Sequence, residues 1–469
     1  MNIYYLLSIL VNRMFGVLTV VALSYLLAPG DFGIFVLILT NALLIHILCS
    51  SWISSSSLRD ISSLQGADQD ARVANSLGYA AALSMLPLSA ALALFLIDGA
   101  RFYSISTTLI LAVAILFYEL VLVINNARGR SRNYGTITFV RSLLTFGLSV
   151  SLVLLGFGLW GAVWGQIAGT ALTVMGGPSF WTLWKNVRPG RISWNALPPQ
   201  LKFGLISAFA FNLYLMGTAL CRNFVLLRLG EADAGYFSLS ADIFYAPIAL
   251  FATGLSLSNV PDLYRSAKDE DGHSKASDFI AGVLAAALPY ALAGIFIGPS
   301  IAPLFLGPKV AGHISEIAAH SIIHAACFCV LSTQTTIALT RGRLKIAAGL
   351  PVVTLILLAA VLLAASFFPG REGVSLLRYA EAVTFGMAAV TVVVLLVSRP
   401  LLQVPILWGE CLRIAGASAA MGLVLAAVDR SALPFAPFPA IALGGAAFVG
   451  TAWLLRSRIV RNLVRMTAA

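Results

Sequence analysis

The chain has 469 residues and a mass of 49.6 kDa; 59% of its residues are hydrophobic, 10% are charged, and the mean hydropathy is +0.92. A soluble domain carries about 25% charged residues, and a disordered chain combines low hydrophobicity with high charge, so both classes are excluded. Thirty Lys plus Arg against nineteen Asp plus Glu leave a net charge of +11. In a soluble protein that surplus would suggest nucleic acid; here its position along the chain gives it another meaning, and no nucleic-acid partner is expected.

From the N-terminus, Met1 to Tyr5 carries no basic residue and Arg13 interrupts the first apolar run, so this segment reads as a retained helix, not a cleaved leader. An apolar run of about 20 residues crosses the ~30 Å hydrocarbon core as a helix. Fourteen such runs follow one another, at 3–27, 33–54, 76–98, 103–126, 135–155, 158–184, 202–228, 236–259, 279–298, 314–340, 346–368, 377–398, 411–429 and 439–455. The expected architecture is an all-α membrane protein of about fourteen transmembrane helices. It divides into an N-lobe at 1–184, a cytoplasmic linker at 185–200, a C-lobe at 201–398, and two final helices with a basic tail at 399–469. The five cysteines, Cys49, Cys221, Cys327, Cys329 and Cys411, lie in or beside apolar runs and suggest no disulfide framework.

Basic residues give the orientation, because Lys and Arg accumulate in cytoplasmic loops. With the N-terminus inside, twenty-one of the thirty fall on the cytoplasmic side, in groups such as Arg128, Arg130, Arg132 and Arg341, Arg343, Lys345. Six fall outside (Arg101, Arg228, Lys309, Arg371, Arg378, Arg430), and Arg13, Arg141 and Arg222 lie within spans. Both termini are thus expected in the cytoplasm, and anionic lipid headgroups are the natural partners of the surplus charge.

The chain also repeats itself. Leu27, Asp31, Gly33 and Phe35 between spans 1 and 2 recur, 202 residues on, as Leu229, Asp233, Gly235 and Phe237 between spans 7 and 8. The same frame at the same place in each six-helix half implies a parallel repeat, which puts a pathway at the interface of two lobes. The segments LLAPGDFGIFVLILT at 26–40, RLGEADAGYFSLSADI at 228–243 and APLFLGPKVAG at 302–312 resemble those of the polysaccharide-transport flippases in the multidrug/oligosaccharidyl-lipid/polysaccharide exporter superfamily. Ala28 departs from the commoner Leu-Gly-Pro form of the first turn. The resemblance implies a protein that flips polyprenyl-pyrophosphate-linked oligosaccharides to the outer leaflet by alternating access. It also implies a cavity lined by spans 1, 2, 7 and 8, and a groove for the lipid tail at spans 13 and 14. A polysaccharide polymerase and its chain-length machinery are the partners such a step implies.

A charge near the bilayer centre costs roughly 2.5–3.5 kcal/mol, so it normally faces a partner or a wet cavity. Arg13 lies roughly 22 Å below the outer turn at about 1.5 Å per helical residue, and His46 lies at nearly the same level. With Asn12 they are candidates for holding a pyrophosphate or an acidic sugar, since guanidinium groups bind phosphate oxygens bidentately; the bland reading is that Arg13 snorkels to the interface. Arg222 and Asp242 share a depth of roughly 10–12 Å. They read equally as a structural salt bridge and as groups at the outer mouth, with Asn212 and Asn223 nearby and Asp242 as the candidate coupling carboxylate. Glu119 and Arg141 match in depth from the inner side and read as a structural ion pair. Glu381 has no partner by depth.

Three motifs are declined. Asp68-Gln69-Asp70 and Asp269-Glu270-Asp271 have the form that holds a metal–nucleotide-sugar, but they sit in short loops without an α/β domain and read as solvated charges. His320, His324 and Cys327 share one helical face and ligand types suited to zinc, yet a helix this apolar more often packs such residues in its core. There is no GxxxxGK[ST] string for ATP. No cofactor is expected. The competing functions are a multidrug exporter of the same superfamily, an integral-membrane polymerase or ligase, and a scaffold. Short outer loops near 299–313 and 369–376, without paired carboxylates, disfavour the enzyme; the intramembrane charges disfavour the scaffold.

Overall fold

The computed structural model describes residues 3–457 except 63, 65, 186, 188–191, 266–269, 307, 367–374, 403, 405–406 and 430–436. Arg188, Arg191, Lys268, Asp269, Arg371, Arg430 and the arginines after 457, used above for topology and motifs, therefore lie outside the described residues. Among the described residues every regular element is helical. This is what lipid demands, since every N–H and C=O must be satisfied within its own segment. In chain order the helices are α1 (Ile3–Leu26), α2 (Pro29–Cys49), α3 (Ser51–Ser62), α4 (Gly66–Ala127), α5 (Ser131–Leu152), α6 (Gly158–Gly176), α7 (Pro178–Trp184), α8 (Leu197–Leu229), α9 (Glu231–Arg265), α10 (Glu270–Phe305), α11 (Pro308–Thr340), α12 (Leu344–Ser366), α13 (Leu376–Leu402), α14 (Trp408–Asp429) and α15 (Pro437–Leu454). Nine helical stretches among the described residues are long and apolar enough to cross a membrane, with shorter apolar helices at Leu10–Leu26 and Ala440–Leu454. The chain is a multi-pass membrane protein.

Two expected spans are each two elements. The run 33–54 breaks at Ser50 (φ −135°, ψ −18°), giving α2 and α3, because side chains there take over the backbone bonds of the last turn, as described below. The run 158–184 breaks at Gly177, which is extended (ψ 124°) and precedes Pro178, whose missing N–H cannot continue the ladder. Conversely α4 carries two spans, Asp68–Asp98 and Phe102–Ala127, joined at Asp98 where the backbone leaves helical geometry (φ −156°, ψ 90°).

The chain divides into two compact units, Met1–Leu215 and Met216–Ala469, so the division falls inside α8, later than the expected linker. In the first unit, Trp52, Ile53, Leu77, Tyr79, Leu116, Leu120 and Ile124 form a buried core. The described part of the 185–200 segment is docked on that unit. The Tyr79 hydroxyl donates to the Ser193 carbonyl, the Trp194 ring lies 5.5 Å from that of Tyr79, and Gln200 Nε2 donates to Asp60 Oδ2 at 3.1 Å. In the second unit α14 and α15 pack on each other and on α10, around Ile297, Met421, Leu425, Val428 and Ala440.

The two turns of the 202-residue repeat are built differently. Pro29 opens α2, where a missing N–H costs nothing, whereas Gly230 adopts φ +101° before α9. A second repeat, absent from the sequence reading, is more alike. Arg128-Gly129-Arg130 joins α4 to α5, and Arg341-Gly342-Arg343 joins α11 to α12. Gly129 and Gly342 have φ of +68° and +67°. Gly129 N–H donates to Asn126 O and Arg130 N–H to Asn125 O, each at 2.9 Å; Gly342 N–H donates to Leu339 O at 3.0 Å and Arg343 N–H to Ala338 O at 2.9 Å. Both are Schellman caps, in which a left-handed residue lets the chain satisfy the last helical carbonyls. In the second unit Arg341 Nη1 also donates to the Leu402 carbonyl at 2.5 Å, and Arg343 to that of Leu401, so the turn caps the end of α13. Nothing lies within 4 Å of a Cβ placed on Gly342, so Gly342→Val pays only the backbone penalty, about 1–2 kcal/mol. The detergent-purified variant should melt several degrees below the parent, while Gly349→Ala, in open space within α12, should not.

Candidate functional site

Each unit brings together charged residues singled out in its spans. In the first, α2 packs against α4 and brings His46 onto Glu119, with Nε2 2.7 Å from Oε2. The His46 side chain is 1% exposed and that of Glu119 40%, while Tyr118 and Leu120 on either side of Glu119 are buried. The carboxylate is therefore open on one side and the imidazole is sealed. His46 Nδ1 lies 2.8 Å from Ser50 Oγ, so both ring nitrogens are engaged within the unit.

This revises two sequence expectations. Glu119 is held by His46, not by Arg141, whose guanidinium lies 4.3 Å from the centre of the Tyr118 ring and whose Nε donates to Thr170 Oγ1 at 3.3 Å. Arg141 remains close enough for its charge to act on Glu119. The aromatic face beside Glu119 gives the arginine a seat of its own. His46, expected with Arg13 as a candidate for an anionic substrate, has both ring nitrogens engaged within the unit. Arg13 is exposed on α1, and among the described residues no ion-pair partner lies against it. Its neighbour Asn12 accepts a hydrogen bond from Ser142 on α5 at 3.1 Å.

In the second unit Arg222 on α8 and Asp242 on α9 form an ion pair. The arginine side chain is 7% exposed and the aspartate 39%, so here the carboxylate is again the open partner. Arg222 Nη2 also reaches the Ser238 carbonyl at 3.3 Å. Asn223 and Asn212 each donate to a carbonyl one turn back on their own helix, Ala219 at 2.8 Å and Ala208 at 2.9 Å.

Glu381 on α13 is half-buried and its charge acts on His320, while the His324 ring lies 4.9 Å from that of Phe328. At the start of α9, burial pushes the Asp233 carboxyl above the usual carboxylate range and His313 opposes that; the His313 ring stacks on Tyr236 at 4.4 Å. Asp68 and Asp70, read from the sequence as loop residues, lie instead at the start of α4; Asp70 pairs with Arg128 and Asp68 is exposed.

The sequence reading missed the His46–Glu119 contact, although a signal existed. Counted from the inner end of its run, His46 stands about as deep as Glu119 from the inner loop, but its depth was counted from the outer turn alone.

Comparison with known proteins adds family and fold. The family described as "Polysaccharide biosynthesis protein" matches residues 22–315, well over half of the chain. A search of curated protein sequences finds no match. Among solved structures, the lipid II flippase MurJ in an inward closed conformation superposes with a TM-score of 0.72 at 14% identity, covering 99% of this chain and 100% of that one. A MATE transporter gives 0.60 at 16% identity over 86% of this chain and 94% of its own. A MOP superfamily transporter from Pyrococcus furiosus gives 0.58 at 16% over the same shares. A fold shared with flippases and multidrug transporters, on a chain whose first two thirds carry the family's pattern, leaves one conclusion: the chain belongs to the polysaccharide biosynthesis protein family.

Proposed function

We propose that this protein moves a polyprenyl-pyrophosphate-linked oligosaccharide from the cytoplasmic to the outer leaflet of a bacterial inner membrane by alternating access. The step serves the making of O-antigen, capsule or exopolysaccharide, with both termini in the cytoplasm and no catalytic role. The observation that carries the reading is coverage. The fold of a lipid II flippase accounts for 99% of the chain, α14 and α15 included, whereas that of a MATE transporter accounts for 86%. Export of drugs by the same fold is the second reading.

The residues assigned to substrate are those whose polar groups, or whose paired partner, stand exposed in a span. Arg13, exposed on α1, offers its guanidinium to a pyrophosphate or acidic sugar, with Asn12 positioned beside it through Ser142. Arg222, Asp242 and Asn223 stand as a second polar group, whose open member is Asp242. Asp242 remains the candidate coupling carboxylate, and Asp242→Asn should alter the pH dependence of transport.

The test is the sidedness of the lipid-linked oligosaccharide pool after depletion of the protein, probed in vesicles of known orientation with a sugar-specific lectin. The intermediate should accumulate on the cytoplasmic leaflet, return to normal on complementation, and fail to return with Arg13→Ala. An intermediate that reaches the outer leaflet unchanged makes drug export the better reading.

A further inference from the structure

The joint between α2 and α3 is held by side chains. Ser50 N–H donates to the His46 carbonyl at 2.9 Å, Ser51 Oγ to the Ile47 carbonyl at 2.7 Å, and Trp52 Nε1 to the Cys49 carbonyl at 2.9 Å. Ser50 Oγ stands between two partners on one residue, 2.8 Å from His46 Nδ1 and 2.9 Å from the His46 carbonyl oxygen. A hydroxyl has one proton to donate, so it serves one of these at a time, and which one depends on the ring.

We propose that His46, Glu119 and Ser50 form a proton-binding site whose occupancy sets the hydrogen bonding of the α2–α3 joint. Facing a carboxylate at 2.7 Å, the neutral imidazole carries its proton on Nε2 and donates it to Glu119. Nδ1 is then an acceptor, and Ser50 donates to it. When one proton is added, an N–H bond forms at Nδ1, which donates to Ser50 Oγ, and the Ser50 hydroxyl turns to the His46 carbonyl. No other covalent bond changes. The pair passes from a lone carboxylate with a neutral ring to an ion pair. The joint gains a second hydrogen bond on the carbonyl that ends α2.

The surroundings suit a site that holds either state. From α4, Glu119 faces His46, with Tyr118 beside it; from α5 comes Arg141, over Tyr118. α6 carries no ionisable side chain and presents Thr170 and Gln166, both buried. On α1 Arg13 is exposed, on α3 Arg59 and Asp60 pair with each other, and on α2 itself Asp31 and Cys49 are exposed. Glu119 is the only carboxylate in contact with the ring among the described residues. Its side chain is 40% exposed, so the pair is uncovered by protein on that side. The inference does not depend on what the protein transports.

The experiment is nitrogen-15 solid-state NMR of the full chain, labelled at histidine, in lipid bilayers between about pH 5 and 9, with His46→Gln assigning the signal. The ring should pass in one step from the neutral form protonated on Nε2 to the imidazolium. After correction for intrinsic rates, amide exchange at residues 50–53 should be about two- to tenfold slower in the protonated form, the equivalent of one net hydrogen bond. Ser50→Ala should keep the step and lose the exchange difference, Ser50→Thr should keep both, and Glu119→Gln should remove the step from this range. A ring that stays in one state throughout overturns the site. An exchange difference that survives Ser50→Ala overturns its link to the joint, and a step unchanged in Glu119→Gln overturns the role of the carboxylate.

Discussion

Asp242→Ala should be the most damaging single substitution of a charged residue in the second unit. It removes the carboxylate that Arg222, 7% exposed, is paired with, while the guanidinium keeps its full charge. Removing one partner of a buried pair costs about 3–5 kcal/mol, chiefly because the survivor stays desolvated. Asp242 is itself 39% exposed, so solvent screens part of the attraction and the lower end of that range applies. The origin of the cost can be separated from the charge itself by replacing both residues. Arg222→Met with Asp242→Leu removes the stranded cation and should melt well above Asp242→Ala, though transport would be lost. Thermal unfolding of the three proteins in one detergent decides the matter. Equal stability of the single and double variants would mean that water reaches Arg222 freely.

Gly165→Leu should be comparably severe in the first unit, for a steric reason. Gly161, Gly165 and Gly169 lie one turn apart on α6 and meet the backbone of α5 directly. A Cβ on Gly165 would stand 2.4 Å from Ser149 N and Cα, one on Gly169 2.7 Å from Thr145 N, and one on Gly161 2.9 Å from the Leu152 carbonyl carbon. Close approach lets Ser149 Oγ donate to the Ala162 carbonyl at 3.0 Å and Gln166 Nε2 to Ser149 Oγ at 3.1 Å. In lipid such packing and interhelical hydrogen bonds replace the hydrophobic effect as the force between helices. Overpacking alone costs about 1–3 kcal/mol, and separating the helices forfeits both hydrogen bonds at about 1 kcal/mol each. The variant should fail to give a monodisperse peak on size exclusion, while Gly147→Leu on α5, with nothing within 4 Å of its Cβ, should elute like the parent. Matching profiles would show that α5 and α6 can part without penalty.

The spans were legible because lipid leaves the backbone little choice. Apolar runs of sufficient length become helices, and hydropathy alone locates α12 through α15 to within about four residues, whereas α8 through α11 extend by up to about nine residues beyond the apolar runs. The joint at Ser50 was not legible, since no Pro or Gly marks it; it depends on hydroxyl and indole groups capping carbonyls three and four residues back, which a helix interior can also accommodate. Depth arithmetic places Arg222 and Asp242 at one level, and they are adjacent in α8 and α9. The same arithmetic failed for Arg141, because depth says nothing about which side of a helix a neighbour occupies, and Tyr118 offered a cation an aromatic face one residue away from the expected carboxylate. The glycine spacing on α6 was visible in the sequence. What made it informative was the identity of the facing helix, which only the fold supplies.

The paired Arg-Gly-Arg turns bear on ancestry. They lie 213 residues apart, whereas the Leu-acid-Gly-Phe turns lie 202 apart. The two halves have therefore drifted in length between one landmark and the next while each kept its reversal of direction. That pattern is expected of a duplicated and fused half-size ancestor. A helix can lengthen or shorten by a turn at its solvent end and still cross the bilayer, but a left-handed glycine flanked by two arginines admits few replacements. Within this one chain, the Arg-Gly-Arg turns match in geometry, at φ +68° and +67°, although the lengths between landmarks differ. Distant relatives should be more readily aligned by their turns than by their hydrophobic segments.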